Sequence, residues 1–296
     1  PENPEGFALA VELAKQNDVD FILGTDPDSD RVGIMIRDKN GDYQVVTGNQ
    51  TGVVLLDYLL GAMERSGKLP EKPVALKTIV TTEMAKAVAE SYGAACYDTF
   101  TGFKFLAEKK DQLEGSGEGK VVFSYEESYG YMLGDFVRDK DAVTASLALT
   151  EMAAYYAGKG MTVLDALNAL YAKHGYYGEK THNLVMPGLD GLRDMANLMA
   201  SLRQTPPQEI AGVAVRQFKD YQDGSVVDCA TGAKSTMELS GSNVLRFELS
   251  DGTSIIVRPS GTEPKIKVYV LTKGKDALER DENLSKYAAW VAALKP

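Results

Sequence analysis

Three aspartates alternate along a short segment that lies between two apolar runs. They are Asp26, Asp28 and Asp30 in the sequence GTDPDSDR. Carboxylates this close repel one another when water is removed, so a divalent cation is their natural partner. A short loop of oxygen ligands suits Mg²⁺ better than zinc. A calcium hand is excluded, because its sixth and twelfth positions would be Arg31 and Arg37 instead of Gly and Glu. A solvated acidic turn stays open as the alternative.

A second group of polar residues lies near the C-terminus, again between two apolar runs, in the sequence RPSGTEPK. Arg258 offers a guanidinium fork, Ser260 and Thr262 offer hydroxyls, and Gly261 leaves backbone N–H groups accessible. Together these donors favour a concave site for a phosphate dianion. Ser-Gly-Thr is also common in turns, so a plain hairpin turn is the alternative.

The sequence SYEESYGY contains two adjacent glutamates, Glu126 and Glu127. A glycosidase pair is not expected, because neighbours in an extended segment point to opposite sides and cannot flank one bond. Hydrogen bonds from Glu126 and Ser128 to sugar hydroxyls fit the pattern better. An ordinary loop between a strand and a helix is the alternative.

Two shorter motifs lie on either side of these glutamates in the sequence: TGFK, which begins at Thr101, and RDKD, which contains Lys140. Locally, Thr101 resembles a helix cap, and the RDKD charges could pair with each other at the surface. Taken alone, each motif favours a structural interpretation.

These motifs must be positioned by the surrounding helices and strands. Over the first 110 residues helix and strand patterns alternate, which predicts parallel α/β layers. The predicted helices are 4–16, 51–65, 83–91 and one from Phe103, and the predicted strands are 19–24, 32–37, 74–80 and 94–97. A strand at 121–124 and helices at 140–157 and 162–173 follow. After a Gly/Tyr/His stretch at 173–182, a helix near 190–203, β-rich runs at 213–218, 244–249, 254–257 and 266–271, and a final helix indicate an α+β domain.

Composition narrows the class of protein. The 296 residues include 42 acidic and 32 basic side chains, a net charge of −10, with 44% hydrophobic residues. This length predicts roughly two domains, or three, and the acidic balance argues against nucleic acid as a partner. The two cysteines, Cys96 and Cys229, exclude a disulfide framework and a structural zinc site. With no membrane-span or signal pattern, we expect a soluble, cytoplasmic protein.

Taken together and in this order, the motifs GTDPDSDR, TGFK, EESYG, RDKD and RPSGTEPKIKVY resemble the alpha-D-phosphohexomutase family, most closely its phosphoglucomutase branch. The resemblance covers essentially the whole chain but only the later part of the family's architecture. It implies an α/β fold class: partial and complete three-layer α/β domains followed by an α+β C-terminal domain. The implied domains are the end of domain two at 1–47, domain three at 48–175 and domain four at 176–296.

The same resemblance implies a role for each motif. Enzymes of this family bind a sugar phosphate in two orientations. A bisphosphate intermediate, here glucose 1,6-bisphosphate, reverses its orientation between the half-reactions. The implied metal ligands for Mg²⁺ are Asp26, Asp28 and Asp30, and the residues implied near the reacting phosphoryl group are Arg31 and Lys140. The implied sugar contacts are Thr101, Glu126, Ser128 and Lys140. The implied phosphate clamp is Arg258, Ser260, Gly261 and Thr262.

One element of the family pattern is missing from the sequence, the Thr-Ala-Ser-His-Asn-Pro loop whose serine carries the phosphoryl group. Thr144-Ala145-Ser146 is the nearest string, but Leu147 follows it in an apolar-periodic helix, so we interpret Ser146 as structural. We therefore expect a C-terminal portion that is inactive alone. We also expect a sheet edge near residues 19–24 to be unpaired, which would favour homo-oligomerisation or local disorder.

Three alternatives to glucose phosphate mutase activity stay open. The sugar could be mannose, glucosamine or a pentose. The chain could be a non-catalytic module that binds sugar phosphates. A magnesium-dependent phosphatase would instead need an aspartate nucleophile, for which Asp26 is the candidate.

Overall fold

The structure is a computed structural model that describes residues 1–186, 190–261 and 263–294, and the chain divides into two compact units, Pro1–His174 and Gly175–Pro296. The elements of the first unit are a 3₁₀ turn (Pro4–Phe7), α1 (Ala8–Gln16), β1 (Phe21–Thr25), β2 (Val32–Arg37), β3 (Tyr43–Val46), α2 (Gly48–Arg65), β4 (Pro73–Thr78), α3 (Met84–Glu90), β5 (Ala95–Thr99), α4 (Phe103–Ser116), β6 (Lys120–Glu126), β7 (Gly130–Met132), α5 (Ala142–Ala157) and α6 (Val163–His174).

The first three strands form a small antiparallel sheet in the order β1-β2-β3. Ile22, Met35 and Val45 lie opposite one another across it and pack with Phe7 and Ala14 from the 3₁₀ turn and α1. The expectation of parallel layers is therefore wrong for this segment, and β3 was not predicted. The reason is the short connection between β1 and β2, which permits a hairpin but not a parallel crossover. Among the described residues β1 pairs only with β2, so it lies at an edge of this sheet.

The second sheet has the order β5-β4-β6-β7. Here β4 runs parallel to both β5 and β6, which confirms the predicted parallel α/β layer, and β7 is antiparallel to β6. Leu106 of α4 packs in one cluster with Val74, Leu76 and Val121. Because the chain crosses from one side of β4 to the other, the carboxyl end of β4 is a topological switch point, where open α/β sheets bind ligands.

In the first unit α2 begins earlier than predicted and α5 begins later, because nearby side chains cap the first turn of each helix. The helix α2 begins at Gly48, because Thr47 and Gln50 form a capping box. The helix α5 begins at Ala142, because the Asp141 carboxylate accepts hydrogen bonds from the first-turn N–H groups of Val143 and Thr144. Asp141 therefore fixes the point where the RDKD segment turns into a helix.

The second unit is an antiparallel sheet with helices, as expected for an α+β domain. Its elements are β8 (Tyr176–Val185), α7 (Gly191–Gln204), β9 (Glu209–Ile210), β10 (Val213–Asp220), β11 (Ser225–Asp228), β12 (Lys234–Thr236), β13 (Leu245–Leu249), β14 (Ser254–Pro259), β15 (Lys265–Gly274) and α8 (Ala277–Ala293). The sheet order is β12-β11-β10-β13-β14-β15-β8, with β9 paired to β10. The prediction missed β8, β9, β11 and β12. Both helices pack on one apolar cluster, with Leu198, Tyr287 and Val291 against Phe247 and Val268.

Within the ranges that the structure describes, no helix combines the length and the apolar character needed to cross a membrane.

Candidate active site

The carboxylate loop, residues 26–31, connects β1 to β2 as predicted. Asp26, Asp28 and Asp30 each offer a carboxylate oxygen, and these atoms all lie within 4.8 Å of one another. Oδ1 of Asp26 accepts hydrogen bonds from the backbone N–H groups of Asp30 (3.1 Å) and Arg31 (3.0 Å). Ser29 completes the turn with a left-handed φ of 55°. The loop is thus wound around the Asp26 carboxylate.

The electrostatics of this loop favour a charged carboxylate at its centre. Partial burial raises the pKa of Asp26, but the backbone N–H groups of Arg31 and Asp30 and the nearby Arg31 charge lower it more, so the net pKa lies below its ordinary value of 3.8. Three oxygen donors at these separations fit the preference of Mg²⁺ for carboxylate oxygen.

Lys140 reaches this loop from the segment before α5. Its Nζ lies 2.7 Å from Oδ2 of Asp30, and its side chain is only 17% exposed. Burial lowers the pKa of Lys140, but the hydrogen bond to Asp30 and the charge of Asp139 raise it above the ordinary value, so the ammonium stays protonated. The RDKD charges therefore do more than pair with each other at the surface.

Arg31 ends the carboxylate loop and lies between two acidic groups. Its Nη1 is 3.3 Å from Oε1 of Glu2, and its Nε is 3.8 Å from Oδ1 of Asp30. The side chain is 40% exposed, so the guanidinium is accessible as well as bridged.

The EESYG loop, residues 126–130, follows β6 at the carboxyl end of the second sheet. Oε1 of Glu126 accepts a hydrogen bond from the backbone N–H of Gly102, next to Thr101. Burial raises the pKa of Glu126, and the Gly102 N–H and the Lys140 and Arg31 charges offset this only in part. The structure thus brings Glu126 to Thr101. Thr101 is not the helix cap, since α4 begins at Phe103 with Gly102 as its N-cap residue.

Backbone hydrogen bonds join the carboxylate loop to the EESYG loop and to the start of α5. The N–H of Val32 donates to the carbonyl of Tyr129 (3.1 Å), and Arg31 forms a β-bridge with Gly130. The N–H of Ala142 donates to the carbonyl of Ser29 (3.0 Å). The carboxylate loop is therefore attached to both the EESYG loop and the start of α5, although these segments lie about 100 residues further along the chain.

In the second unit the predicted phosphate clamp lies on the turn between β14 and β15. Arg258 lies near the end of β14, and the turn closes through the N–H of Ser260, which donates to the carbonyl of Lys265 (2.8 Å). Gly261 is exposed. Thr262 lies outside the described residues. Lys267, which the sequence reasoning missed, lies opposite Arg258 on β15, so both cations are on one face of the sheet.

Comparison with known proteins identifies the class. Family descriptions for phosphoglucomutase/phosphomannomutase match the chain in three successive parts: alpha/beta/alpha domain II over residues 1–41, alpha/beta/alpha domain III over 47–174 and the C-terminal domain over 198–282. These are the domains of phosphosugar mutases. The chain belongs to the alpha-D-phosphohexomutase family.

Individual relatives agree with this assignment. A phosphoglucomutase of Staphylococcus aureus (strain N315) is 36% identical over 276 residues, which is 93% of this chain and 49% of that protein. The chain thus spans about half the length of the curated relatives it matches. The fold is shared with the Paramecium phosphoglucomutase parafusin (TM-score 0.63, 19% identity, 97% of this chain and 47% of that one). A putative phosphomannomutase from Thermus thermophilus is similar in structure (TM-score 0.61, 18% identity, 99% and 51%).

Proposed function

We propose that this chain forms the metal-binding, sugar-binding and phosphate-binding part of a phosphoglucomutase, which interconverts glucose 1-phosphate and glucose 6-phosphate through glucose 1,6-bisphosphate. The observation that carries the proposal is that the carboxylate loop contacts Lys140 through an ion pair and the EESYG loop through backbone hydrogen bonds. The 36% identity to a phosphoglucomutase supports glucose phosphate as the substrate. The proposed domains remain 1–47, 48–175 and 176–296.

Asp26, Asp28 and Asp30 would hold Mg²⁺. When bound, the ion would supply positive charge that neutralises the transferred phosphoryl group. Arg31 is accessible beside these carboxylates and would contact the same phosphoryl oxygens through its guanidinium fork. Lys140 is protonated and close to Asp30, so it would donate a hydrogen bond to the oxygen that leaves phosphorus.

The other motifs would orient the sugar. Glu126 and Ser128 would bind sugar hydroxyls, with Thr101 beside them. The clamp would bind the phosphate that does not react; its residues are Arg258, Ser260, Gly261 and Thr262. Binding energy from this remote phosphate would help to align the reacting end, which is how phosphoryl transfer is accelerated by positioning.

The phosphoryl-carrying serine would come from polypeptide outside these 296 residues. Ser146 does not take this role in our proposal, because it lies within α5, where its carbonyl accepts the Thr150 hydroxyl. We therefore expect the chain alone to bind sugar phosphates without converting them.

The test is conversion of glucose 1-phosphate followed by ³¹P NMR, with Mg²⁺ and a glucose 1,6-bisphosphate primer. It compares this chain with the same chain extended upstream to its natural start. Activity in the extended protein alone supports the proposal. Activity in the 296-residue chain would disprove the assignment of the serine, and conversion of mannose 1-phosphate but not of glucose 1-phosphate would disprove the substrate.

A further inference from the structure

Glu127 follows Glu126 directly, but its carboxylate has different surroundings. Its Oε2 lies 3.2 Å from Oγ1 of Thr78 and 3.2 Å from Oγ1 of Thr81, and these two hydroxyl oxygens are 2.8 Å apart. Both threonines are fully buried. Each hydroxyl carries one proton, so the two threonines can donate two hydrogen bonds at a time among these three contacts.

The two glutamates point to different parts of the domain. Glu126 is the last residue of β6, and Glu127 is the first residue of the turn that follows it. Glu126 contacts the turn before α4 through the N–H of Gly102, whereas Glu127 contacts the end of β4. Fixing the Glu127 carboxylate beside the end of β4 therefore restrains the backbone directly after Glu126.

The threonine turn, residues 78–83, is itself firmly held. The ammonium of Lys77 is fully buried, donates to the carbonyl of Thr81 (3.1 Å) and pairs with Asp98 (2.8 Å) and Glu83 (3.3 Å). Breaking a buried ion pair leaves an uncompensated charge, so this turn resists displacement. It gives Glu127 a rigid partner.

The backbone of the EESYG loop is fixed from a second side by α2. A Cβ added to Gly48 would collide with the carbonyl oxygen of Glu127, which shows how closely the two backbones approach. Tyr129, two residues on, has a left-handed φ of 64°. The loop is therefore held through a carboxylate, a close backbone contact and a strained turn.

We propose that Glu127 is a positioning residue: anchored by Thr78 and Thr81, it holds Glu126 and Ser128 in the orientation that binds sugar hydroxyls. The inference rests on the proposed function for the roles of Glu126 and Ser128. Glu127 itself does not touch the sugar. Small displacements of a binding group are costly, and about 1 Å can reduce activity by roughly 100-fold.

The first test needs no ligand. Hydrogen exchange of the Gly102 amide reports its bond to Glu126, and we expect Glu127→Ala to reduce protection of this amide by about tenfold or more. The paired substitution Thr78→Val and Thr81→Val, which keeps the shape of both side chains, should act in the same direction. Glu127→Gln, which retains one acceptor oxygen, should restore much of the protection. Unchanged Gly102 protection in both the alanine and the valine variants would overturn the proposal.

The second test measures binding of glucose 6-phosphate to the 296-residue chain by calorimetry. We expect Glu127→Ala to weaken binding by roughly tenfold in the wild-type background and much less when Glu126→Gln is already present, because the two residues act in series. Additive effects would overturn the proposal. Glu108→Ala, an exposed site on α4, is the matched control and should change neither readout.

The two proposals fail in different ways. If the unsubstituted chain does not bind glucose 6-phosphate, the proposed substrate is wrong, and the Gly102 exchange measurement still decides the role of Glu127. If the chain binds the sugar phosphate but Glu127→Ala leaves both readouts unchanged, the positioning role alone is wrong.

Discussion

The ammonium of Lys140 lies 2.7 Å from Oδ2 of Asp30, which places a cation at the edge of a cluster of three carboxylates. This ion pair has two consequences for a bound metal. Lys140 occupies an oxygen that the metal could use, and its charge repels a divalent cation.

Lys140→Met should therefore increase the affinity for Mg²⁺ by roughly fivefold, equivalent to about 1 kcal/mol at a partly exposed site. The same substitution should weaken binding of glucose 1,6-bisphosphate, because a cation in the cleft is lost. Calorimetric titrations with each ligand measure the two effects. Arg138→Met removes a cation from the same segment that pairs with Asp111, and it should leave both affinities unchanged. Weaker Mg²⁺ binding by Lys140→Met would contradict this reasoning.

Asp26 and Asp28 should respond differently to substitution. Either change to Asn should reduce Mg²⁺ affinity by about tenfold or more, because the site loses one negative charge. Asp26→Ala should also lower the melting temperature, since it removes the acceptor for two backbone N–H groups, at a cost of roughly 1–2 kcal/mol. Asp28→Ala, at an exposed position, should not lower the melting temperature. Equal loss of stability in the two alanine variants would show that Asp26 does not organise the loop.

Gly48 should be intolerant of a side chain. Gly48→Ala places a Cβ against the carbonyl of Glu127, so we expect the free energy of unfolding to fall by about 1–3 kcal/mol. Gly115, in α4, has no atom within 4 Å of the added Cβ, so Gly115→Ala should be neutral or stabilising by roughly 0.5 kcal/mol. Urea denaturation measures both. A neutral Gly48→Ala would mean that α2 and the EESYG loop separate easily.

Glu126→Gln should stabilise the protein while impairing binding. Burial raises the pKa of Glu126 above 4.5, so its charge opposes folding as pH rises from 4.5 through the raised value, and fully so above it. At pH 7 we expect the melting temperature to rise, with the difference vanishing below about pH 4.5. Glucose 6-phosphate should bind more weakly. Thermal scans across this pH range, with Glu108→Gln as control, would contradict the prediction if Glu126→Gln were equally destabilising throughout.

Local patterns were enough to locate the loops and most helices of the first unit. The carboxylate loop lies between β1 and β2, and the parallel arrangement of β4 with its neighbours was predicted from alternating signals. One of the strands that the prediction missed depends on distant pairing. The strand β8 contains Gly and His and lacks an apolar period, and it is a strand because its backbone pairs with β15 along its whole length. The strand β3 was missed for a different reason: it pairs with β2, the strand directly before it, but it is only four residues long.

In the candidate site, too, local spacing could be interpreted from the sequence, whereas contacts between distant segments could not. Residue types and spacing were sufficient to single out Asp26, Asp28 and Asp30 as a group, because a short loop brings them together. No spacing rule relates Glu127 to Thr78, which lies 49 residues earlier and meets it only when β4 and β6 become neighbours. The contact of Lys140 with Asp30 was likewise invisible, since it requires the start of α5 to lie against a loop 110 residues away.

The bonds between Val32 and Tyr129 and between Ala142 and Ser29 also bear on how far this fold can be divided. The family description of domain III begins at residue 47, yet some of the partners of its EESYG loop and of the start of α5 lie before that residue. A shortened polypeptide beginning at residue 47 would keep every strand of the second sheet, but the Tyr129 carbonyl, the Ala142 amide and the Lys140 ammonium would lose these partners. Domain III thus contains every strand of its own sheet, but its EESYG loop, the start of α5 and Lys140 also have partners in residues 29–32.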